Sequence, residues 1–392
     1  MEPMSFYSEH KMVNSSTLWT QSFVFLNLSF FLVFANIAFF YLYPLALDAM
    51  GSGHEVIGLV MGLFSVAAVI SRPFFGKLVA LKGEYRVIYC GMAVSFIASL
   101  SYLVITAFGP GMLLIRVVHG IGFSAFISAS FSLVARTFPA NKRGEAFSAV
   151  GASLLSSMAL APPFGELLVH KWGFSALYLA ASGSIVLAWW AAFMAAHSFS
   201  FSAEVDQKTV VRYLPLLKSR SFVVLLISTL IFAHCQSTVF NFLALITSEK
   251  GVQSGRFFFA FCFVAILVLL TVGKLIDRYG KLFFLRFFYP FLSLGILFIP
   301  GMIDSSFFLV PAVLYGAGIG ILFPTHNALA ADHGSQSEKP AIMSLFTAVY
   351  DTGFLTGAVV SGWFSAITNL DMLFLITGSL GFLGFFAVLK SK

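Results

Sequence analysis

An acidic residue, Asp351, lies deep within an apolar segment. It occurs in 350-YDTGFLTG-357, about eleven residues into a stretch long enough to cross a bilayer. A carboxylate at that depth is unfavourable unless it faces protein or a water-filled cavity, so it marks a candidate functional site. A carboxylate that takes up and releases a proton can couple a proton gradient to another process. The competing interpretation is a structural hydrogen-bond anchor between helices.

A basic residue, Arg116, is embedded in a second apolar segment, 116-RVVHGIG-122. An arginine about six residues inside a spanning helix is expected to face a wet cavity or a partner, unless its side chain extends to the headgroups. His119 lies on the adjoining face, and its position fits a functional role and a structural role equally well. Glu166 is a further ionisable candidate, and its place near the end of an apolar run favours a hydrated rim position over proton coupling.

The stretch 271-TVGKLIDRYGKL-282 gathers charges around two glycines between long apolar runs. Gly273 and Gly280 suit a tight turn and the close approach of a neighbouring helix. Asp277 can accept hydrogen bonds from a helix N-terminus and pair with an arginine, and such contacts can break and re-form as two bodies rock. A solvated basic loop would explain the lysines and arginines but not the glycine spacing.

The composition requires an apolar solvent around most of the chain. Of 392 residues, 59% are hydrophobic and only 10% are charged, and the mean hydropathy is +0.94. These values lie outside the range of soluble proteins. The net charge of +7 is not arranged as a basic stripe with interleaved aromatics, so nucleic acid is not an expected partner. We therefore expect an all-α protein embedded in a lipid bilayer.

Apolar runs long enough to span the membrane cover residues 18–47, 56–75, 87–108, 111–136, 146–169, 174–197, 221–248, 255–273, 283–302, 307–331, 341–366 and 372–389. The first is too long for a signal peptide. Of the 23 lysines and arginines, 19 fall on the side of the termini, including those of the 72–86 turn, and three fall on the other side. The positive-inside rule therefore predicts that both termini are cytoplasmic.

The two halves of the sequence carry the same pattern. The segments 76-GKLVALKG-83 and 273-GKLIDRYG-280 are 197 positions apart, and 119-HGIG-122 precedes 315-YGAG-318 by 196 positions. This offset predicts two six-helix halves, residues 1–197 and 221–392, related by a pseudo-twofold axis along the membrane normal. The polar segment 198–220 is the expected cytoplasmic linker between them.

With these motifs the chain resembles transporters of the major facilitator superfamily. Their cytoplasmic G-x-L-x-D-R-x-G-R/K signature is similar to 273–281, with Gly273, Asp277, Arg278, Gly280 and Lys281 in place. The first-half copy keeps Gly76 and Gly83 but has Ala80 and Leu81 instead of the Asp and Arg. The resemblance implies a gating role for the second copy and only a tight turn for the first.

Two further motifs refine the resemblance. The segment 116–122 is similar to the R-x-x-x-G-x-G pattern of proton-coupled members, in which Gly120 and Gly122 would pack the fourth span tightly. Pro162 and Gly165 match part of the antiporter signature, although Ser157 and Ala161 replace its first glycines. The pattern resembles a bacterial branch of sugar or drug efflux proteins that includes metallophore exporters, which implies export.

In this superfamily, spans one, four, seven and ten line the substrate cavity. That implies a set of polar candidates here, namely Asn36, Tyr41, Arg116, His119, His234, Gln236, Asn241, His326 and Asn327. Helix–helix hydrogen bonds use the same residue types. One cation, few anions and several imidazoles suit an anionic or zwitterionic organic solute. The histidines lack i, i+4 spacing and no phosphate-binding loop occurs, so we expect no metal, no cofactor and no ATP hydrolysis.

These observations predict a monomeric, proton-coupled exporter of a small drug-like, sugar-like or metallophore-like molecule, working by alternating access in the inner membrane. Asp351 would take up the proton, with Arg116 and His119 sensing it. Proton-linked import of a sugar or organic acid is one alternative. A membrane receptor or scaffold with the same fold is another, which the altered first motif permits. An enzyme is not expected, since no nucleophile, base and orienting group occur together.

Overall fold

The structure, a computed structural model, describes residues 19–105, 107–138, 140–196, 219–272, 275–333 and 339–389. Within those ranges all regular secondary structure is helical. A helix satisfies its own backbone hydrogen bonds, which is why apolar runs of this length fold as helices in lipid. Eleven of the described helices are long and apolar enough to cross a membrane.

The first half contains six long helices. They are α1 (Gln21–Phe39), α2 (His54–Lys82), α3 (Glu84–Ser101), α4 (Pro110–Thr137), α5 (Ala140–Trp172) and α6 (Phe174–Ala196). A 3₁₀ turn, Phe40–Leu42, carries α1 into a short helix, Tyr43–Ala49. The break precedes Pro44, which lacks an N–H group to continue the α-helical ladder.

The second half repeats this arrangement. Its long helices are α7 (Arg220–Glu249), α8 (Ser254–Val272), α9 (Lys281–Leu297), α10 (Leu309–Asp332), α11 (Lys339–Ile367) and α12 (Leu370–Leu389). The ninth predicted span is divided, because α9 has 17 residues and is followed by the short helix Ile299–Met302 with Pro300 near its start. The first helices of the two halves begin alike, since the hydroxyls of Thr20 and Ser219 cap α1 and α7.

The predicted turn over 72–86 is wrong in its extent. The segment 71–78 is helical and α2 continues to Lys82, with Pro73 inside it. Lysine and arginine are good helix formers whose long side chains can reach water from a helix end, so a basic segment does not require a loop. The turn itself is at Gly83 (φ 84°), and Gly280 (φ 91°) forms the corresponding turn before α9. Gly76 lies within α2 rather than at this turn.

The helix bundle has two ends. We call the end where α1 begins and α12 ends the terminal end, and the end where α1 passes into α2 the distal end. The halves meet where α2 packs on α11 and α5 packs on α8. At the distal end, Gly58 and Gly362 let α2 and α11 touch, since a Cβ on Gly362 would lie 2.7 Å from the Gly58 Cα.

Apolar packing joins the halves mainly near the distal end. The cluster that includes residues of both halves takes its first-half members from the distal part of the bundle, such as Leu42, Tyr43 and Ile57. The terminal part of the first half has its own cluster, containing Phe30, Phe126 and Leu133, with no second-half member among the described residues. The described contacts are those of a bundle closed at the distal end.

Candidate functional site

An ion pair between Arg72 of α2 and Asp351 of α11 links the two halves. Arg72 Nη1 donates to Asp351 Oδ2, and the two side chains are 28% and 12% exposed. A charge pair at this depth is only partly screened by water, so its loss leaves an unfavourable isolated charge. A proton on Asp351 would remove one of the two charges at this contact between the two halves.

The two residues of this pair lie at similar depths. Arg72 is about ten residues from the end of α2, or roughly 15 Å, and Asp351 about twelve residues from the start of α11, or roughly 18 Å. Gly353 and Gly357 press against α7, where a Cβ would lie 2.7 Å from that of Ala233 and 2.6 Å from that of Ser237. They lie on a different face of α11 from Asp351, so α11 packs on α7 while Asp351 reaches α2.

The residue beside Asp351 connects the ion pair to α7. The Tyr350 hydroxyl donates to Gln236 Oε1 at 2.7 Å. Tyr350 also packs near Phe354 and Phe323, with ring centroids 5.9 and 5.2 Å apart. Gln236, predicted to line the cavity, is therefore a neighbour of the Asp351 segment.

Arg116 does not meet Asp351. It is 3% exposed and lies within the first half, where its Nε donates to the Val60 carbonyl at 3.3 Å and Nη2 approaches Met61 Sδ at 3.0 Å. Its guanidinium carbon lies 5.2 Å from the Phe64 ring centre and 5.4 Å from that of Tyr43. The structure thus separates two residues that were both predicted to serve proton coupling.

His119 and Asn36 belong to one hydrogen-bond network. The Asn36 amide donates to Ser99 Oγ and to the Ala181 carbonyl, both at 2.8 Å. Its Oδ1 is 2.8 Å from His119 Nε2. With the amide nitrogen committed to acceptors, His119 Nε2 must carry the hydrogen. These bonds tie α1, α3, α4 and α6 together, so in this conformation both side chains hold helices rather than line an open cavity.

The polar candidates of the second half also bond mostly within their own half. His234 Nδ1 is 3.2 Å from Thr356 Oγ1, and Asn241 donates to the Ser237 carbonyl at 2.8 Å. His326 is fully buried, with Nε2 2.9 Å from Ser228 Oγ. Asn327, which donates to the Phe323 carbonyl one turn earlier, is only half-buried.

Tyr41 differs from the other cavity candidates because it contacts the opposite half. Its ring lies 5.0 Å from that of Phe240 and stacks on that of Phe258 at 5.8 Å. These residues lie near the distal end, on α7 and α8. Tyr41 is therefore part of the packing that closes that end.

Glu166 of α5 caps the N-terminus of α8 in the other half. Its Oε1 accepts from the Ser254 amide at 2.7 Å and the Ser254 hydroxyl at 2.5 Å, and its Oε2 accepts from the Gly255 amide at 2.9 Å. A carboxylate at a helix N-terminus is stabilised by unpaired N–H groups and the helix dipole. Glu166 is therefore not a hydrated rim residue. Its hydrogen bonds to Ser254 and Gly255 join the two halves at the distal end, and we call this contact the Glu166 latch.

We expect Glu166→Gln to weaken this latch by about 1–2 kcal/mol, because the neutral amide loses the charge and one of two acceptor atoms. The midpoint of thermal unfolding in detergent should fall, and distances between labels across the distal end should broaden. Glu145→Gln is the matched control, since Glu145 is exposed on the same helix. Equal melting of the two variants would contradict the capping role.

Only part of the charged motif falls within the described residues. Gly273 lies outside them, as do the side chains of Asp277 and Arg278. Lys281 donates to Asp332 Oδ2 at 2.6 Å and to the Ala328 carbonyl at 3.3 Å, which joins α9 to α10 within the second half. A Cβ on Gly76 would meet no atom within 4 Å, so this residue makes no close helix contact.

The small residues of α4 and α5 lie at close helix crossings. A Cβ on Gly120 would lie 3.1 Å from the Ala67 side chain of α2, and one on Gly122 would lie 2.6 Å from Ser95 Oγ of α3. Gly165 approaches Leu177 and Leu42, each at 2.8 Å from its added Cβ. Pro162 is inside α5, next to Pro163, which approaches Gly255 of α8.

Across the described ranges, no group of three or more His, Cys, Asp or Glu residues could hold a metal ion.

Arg72 is the functional candidate that the sequence interpretation missed. It was counted among the basic residues of a turn, where it would only have reported membrane orientation. Two signals were available: 71-SRPFFGKL-78 follows an apolar run without a strong helix stop, and Pro73 alone does not end a helix in a membrane. Extending α2 through Arg72 would have placed a cation at the depth of Asp351.

Comparisons with known proteins agree with this architecture. A family model described as "Major Facilitator Superfamily" matches residues 24–335 and 258–391. The staphylopine export protein of Staphylococcus aureus is 24% identical, over 86% of this chain and 87% of that protein. The multidrug resistance protein MdtG of Dickeya zeae is 25% identical, over 83% of each chain. The crystal structure of a point mutant of the nucleoside transporter NupG superposes with a TM-score of 0.76 at 15% identity, covering 94% of this chain and 99% of that one.

The match spans nearly the whole chain, and the relatives are transporters rather than enzymes. The chain folds as two six-helix halves that meet where α2 packs on α11 and α5 packs on α8. A solved transporter structure has the same fold. The chain is a multi-pass membrane protein that belongs to the Major Facilitator Superfamily.

Proposed function

We propose that this transporter exports a small organic molecule in exchange for protons, with Asp351 as the proton-binding group and Arg72 as its partner. The proposal rests on one observation, the ion pair that Asp351 and Arg72 form between the two halves. A proton can then act on the contact that controls how the halves lie against each other. Arg116 forms its hydrogen bonds with Val60 and Met61 and not with either residue of this pair. The proposed coupling step therefore does not use Arg116.

The proposed cycle follows from the charges. With Asp351 ionised, its attraction to Arg72 holds α2 against α11 in the terminal part of the bundle. With Asp351 protonated, that attraction is lost and the terminal ends of the two helices can separate while the distal contacts remain. Proton release restores the pair, closes the terminal end and favours opening at the distal end, where the Glu166 cap must break.

Export is favoured by the relatives. One of them is named as an exporter and another as a multidrug resistance protein. The excess of basic residues near the terminal end favours a cytoplasmic position for that end. A protein of this kind would work as a monomer in the cell membrane, taking up its substrate from the cytoplasm. The halves proposed from the sequence, 1–197 and 221–392, are consistent with α6 ending at Ala196 and α7 beginning at Arg220.

The experiment that tests this function begins with a thermal-shift screen of the purified chain against sugars, nucleosides, organic acids and drug-like compounds. The compound with the largest shift is then radiolabelled and assayed in liposomes of known orientation under an imposed pH gradient. Exchange of one proton per molecule should give about tenfold accumulation per pH unit, in the direction opposite to proton flow. Accumulation in the same direction as the protons would mean import, and no response to the gradient would contradict the proposal.

A further inference from the structure

A buried guanidinium in the first half has no carboxylate partner. Arg116 is 3% exposed, and none of the ion pairs found in the described part of the chain includes it. It donates to one carbonyl and one thioether sulfur, and the Tyr102 hydroxyl also lies within its reach, but none of these groups carries a negative charge. Arginine stays protonated in proteins, and a buried charge is normally compensated by a counter-charge. Aromatic faces at 5.2–5.9 Å attract the cation without neutralising it.

Three tyrosine hydroxyls beside Arg116 have no acceptor for their hydrogen within the described protein, since a guanidinium can only donate to them. They belong to Tyr43, Tyr102 and Tyr178, whose side chains are 0%, 1% and 4% exposed. The rings are neighbours, with centroids 4.9 Å apart for Tyr43 and Tyr102 and 5.5 Å apart for Tyr102 and Tyr178. A buried hydroxyl without an acceptor is energetically unfavourable, so three in one cluster require an explanation.

His119 contributes one further buried polar atom without a partner. Its Nε2 is engaged by Asn36, while Nδ1 is buried and unpaired. The His119 ring is 6.0 Å from that of Tyr102 and 4.8 Å from that of Phe40. Because the Asn36 bond fixes the hydrogen on Nε2, Nδ1 is an acceptor in neutral imidazole and a donor in imidazolium. The cluster thus offers one fixed cation, three hydroxyl donors and one group whose polarity changes with a proton.

We propose that Arg116, Tyr43, Tyr102 and Tyr178 form a binding site for a small monovalent inorganic anion of the chloride type, enclosed in the first half. An anion would neutralise Arg116 and accept hydrogen bonds from the hydroxyls, which answers both observations at once. The enclosing side chains are 0–4% exposed, which excludes an organic solute of transported size in this conformation. This site goes beyond the proposed exporter function, because it involves neither Asp351 nor Arg72.

The test uses the purified full chain at constant ionic strength, with sodium chloride replacing sodium gluconate. Chloride and bromide should raise the unfolding temperature saturably by several degrees, and ³⁶Cl⁻ should bind at about one ion per chain. Arg116→Met should abolish both effects, while Arg86→Met, a change at an exposed arginine of α3, should leave them intact.

Tyr102→Phe is the variant that separates an anion site from water or an empty space. Without an anion, removing a buried hydroxyl that lacks an acceptor should stabilise the protein and leave no chloride dependence. With an anion, the variant should require about tenfold more chloride for the same shift, because it loses one charge-assisted hydrogen bond. A wild-type chain whose melting is indifferent to chloride, or responds equally to gluconate, would overturn the proposal.

Discussion

Replacing Asp351 with asparagine should uncouple transport from the pH gradient. The amide keeps the size of the protonated carboxyl group but cannot release a proton, so accumulation should fall from about tenfold per pH unit to none. Exchange of labelled for unlabelled substrate, which needs no net proton movement, should continue. The measurement is uptake into liposomes with and without an imposed pH gradient, using the compound identified by thermal shift.

Asp371→Asn is the matched control for this prediction. Asp371 also pairs with a basic residue, Lys250, but Asp371 is exposed and the pair lies within one half. Its loss should leave the pH-driven accumulation unchanged, because an exposed ion pair contributes little and does not join the moving bodies. Uphill transport by Asp351→Asn at the wild-type level would remove Asp351 from the coupling step.

Gly362→Leu should disfavour closure of the distal end. A Cβ at this position would already lie 2.7 Å from the Gly58 Cα and 2.6 Å from the His54 carbonyl oxygen, and a full leucine cannot be accommodated without separating α2 from α11. Overpacking of this kind costs about 1–3 kcal/mol, which changes the ratio of closed to open molecules by roughly 5- to 150-fold. Spin labels at Lys171 and Thr368, exposed on opposite halves at the distal end, should report longer distances.

Gly183→Leu controls for the added side chain itself. Gly183 is exposed on α6, and a Cβ there meets no atom within 4 Å. Its replacement should leave both the distal distances and transport unchanged. If Gly362→Leu kept the wild-type distances, the close crossing of α2 and α11 would not be what closes this end.

The sequence predicted the architecture because the signals for it are local. Each signal depends on a few neighbouring residues: the length of an apolar run, a glycine at a turn, and the corresponding positions of Gly83 and Gly280 in the two halves. In a membrane, apolar runs of this length fold as helices because a helix satisfies its own backbone hydrogen bonds. The division of the ninth span was one exception, since Pro300 interrupts an apolar run without changing its hydropathy. The continuation of α2 to Lys82 was another, since a basic segment does not by itself show where a helix ends.

The site was predicted less well because partners are chosen by tertiary packing. Asp351 was identified from its depth, but its partner depends on which helix faces it across the interface, and 279 positions separate it from Arg72. Arg116 and Asp351 were both predicted to serve proton coupling because each is a charged residue within an apolar segment, whereas the structure pairs Asp351 with Arg72. Glu166 was judged by its distance from a helix end, and no sequence pattern indicates that Ser254 and Gly255 of another half meet it there.

The most direct test of proton coupling through Asp351 needs no substrate. Spin labels are placed at Leu81 and Phe283, exposed at the terminal ends of opposite halves, in a chain whose exposed Cys90 is replaced by serine. Distances are measured by double electron–electron resonance from acidic to alkaline pH. We expect them to be longer at acidic pH in the wild-type background, and to remain long at every pH in Asp351→Asn. A pH response that persists in Asp351→Asn would contradict the account.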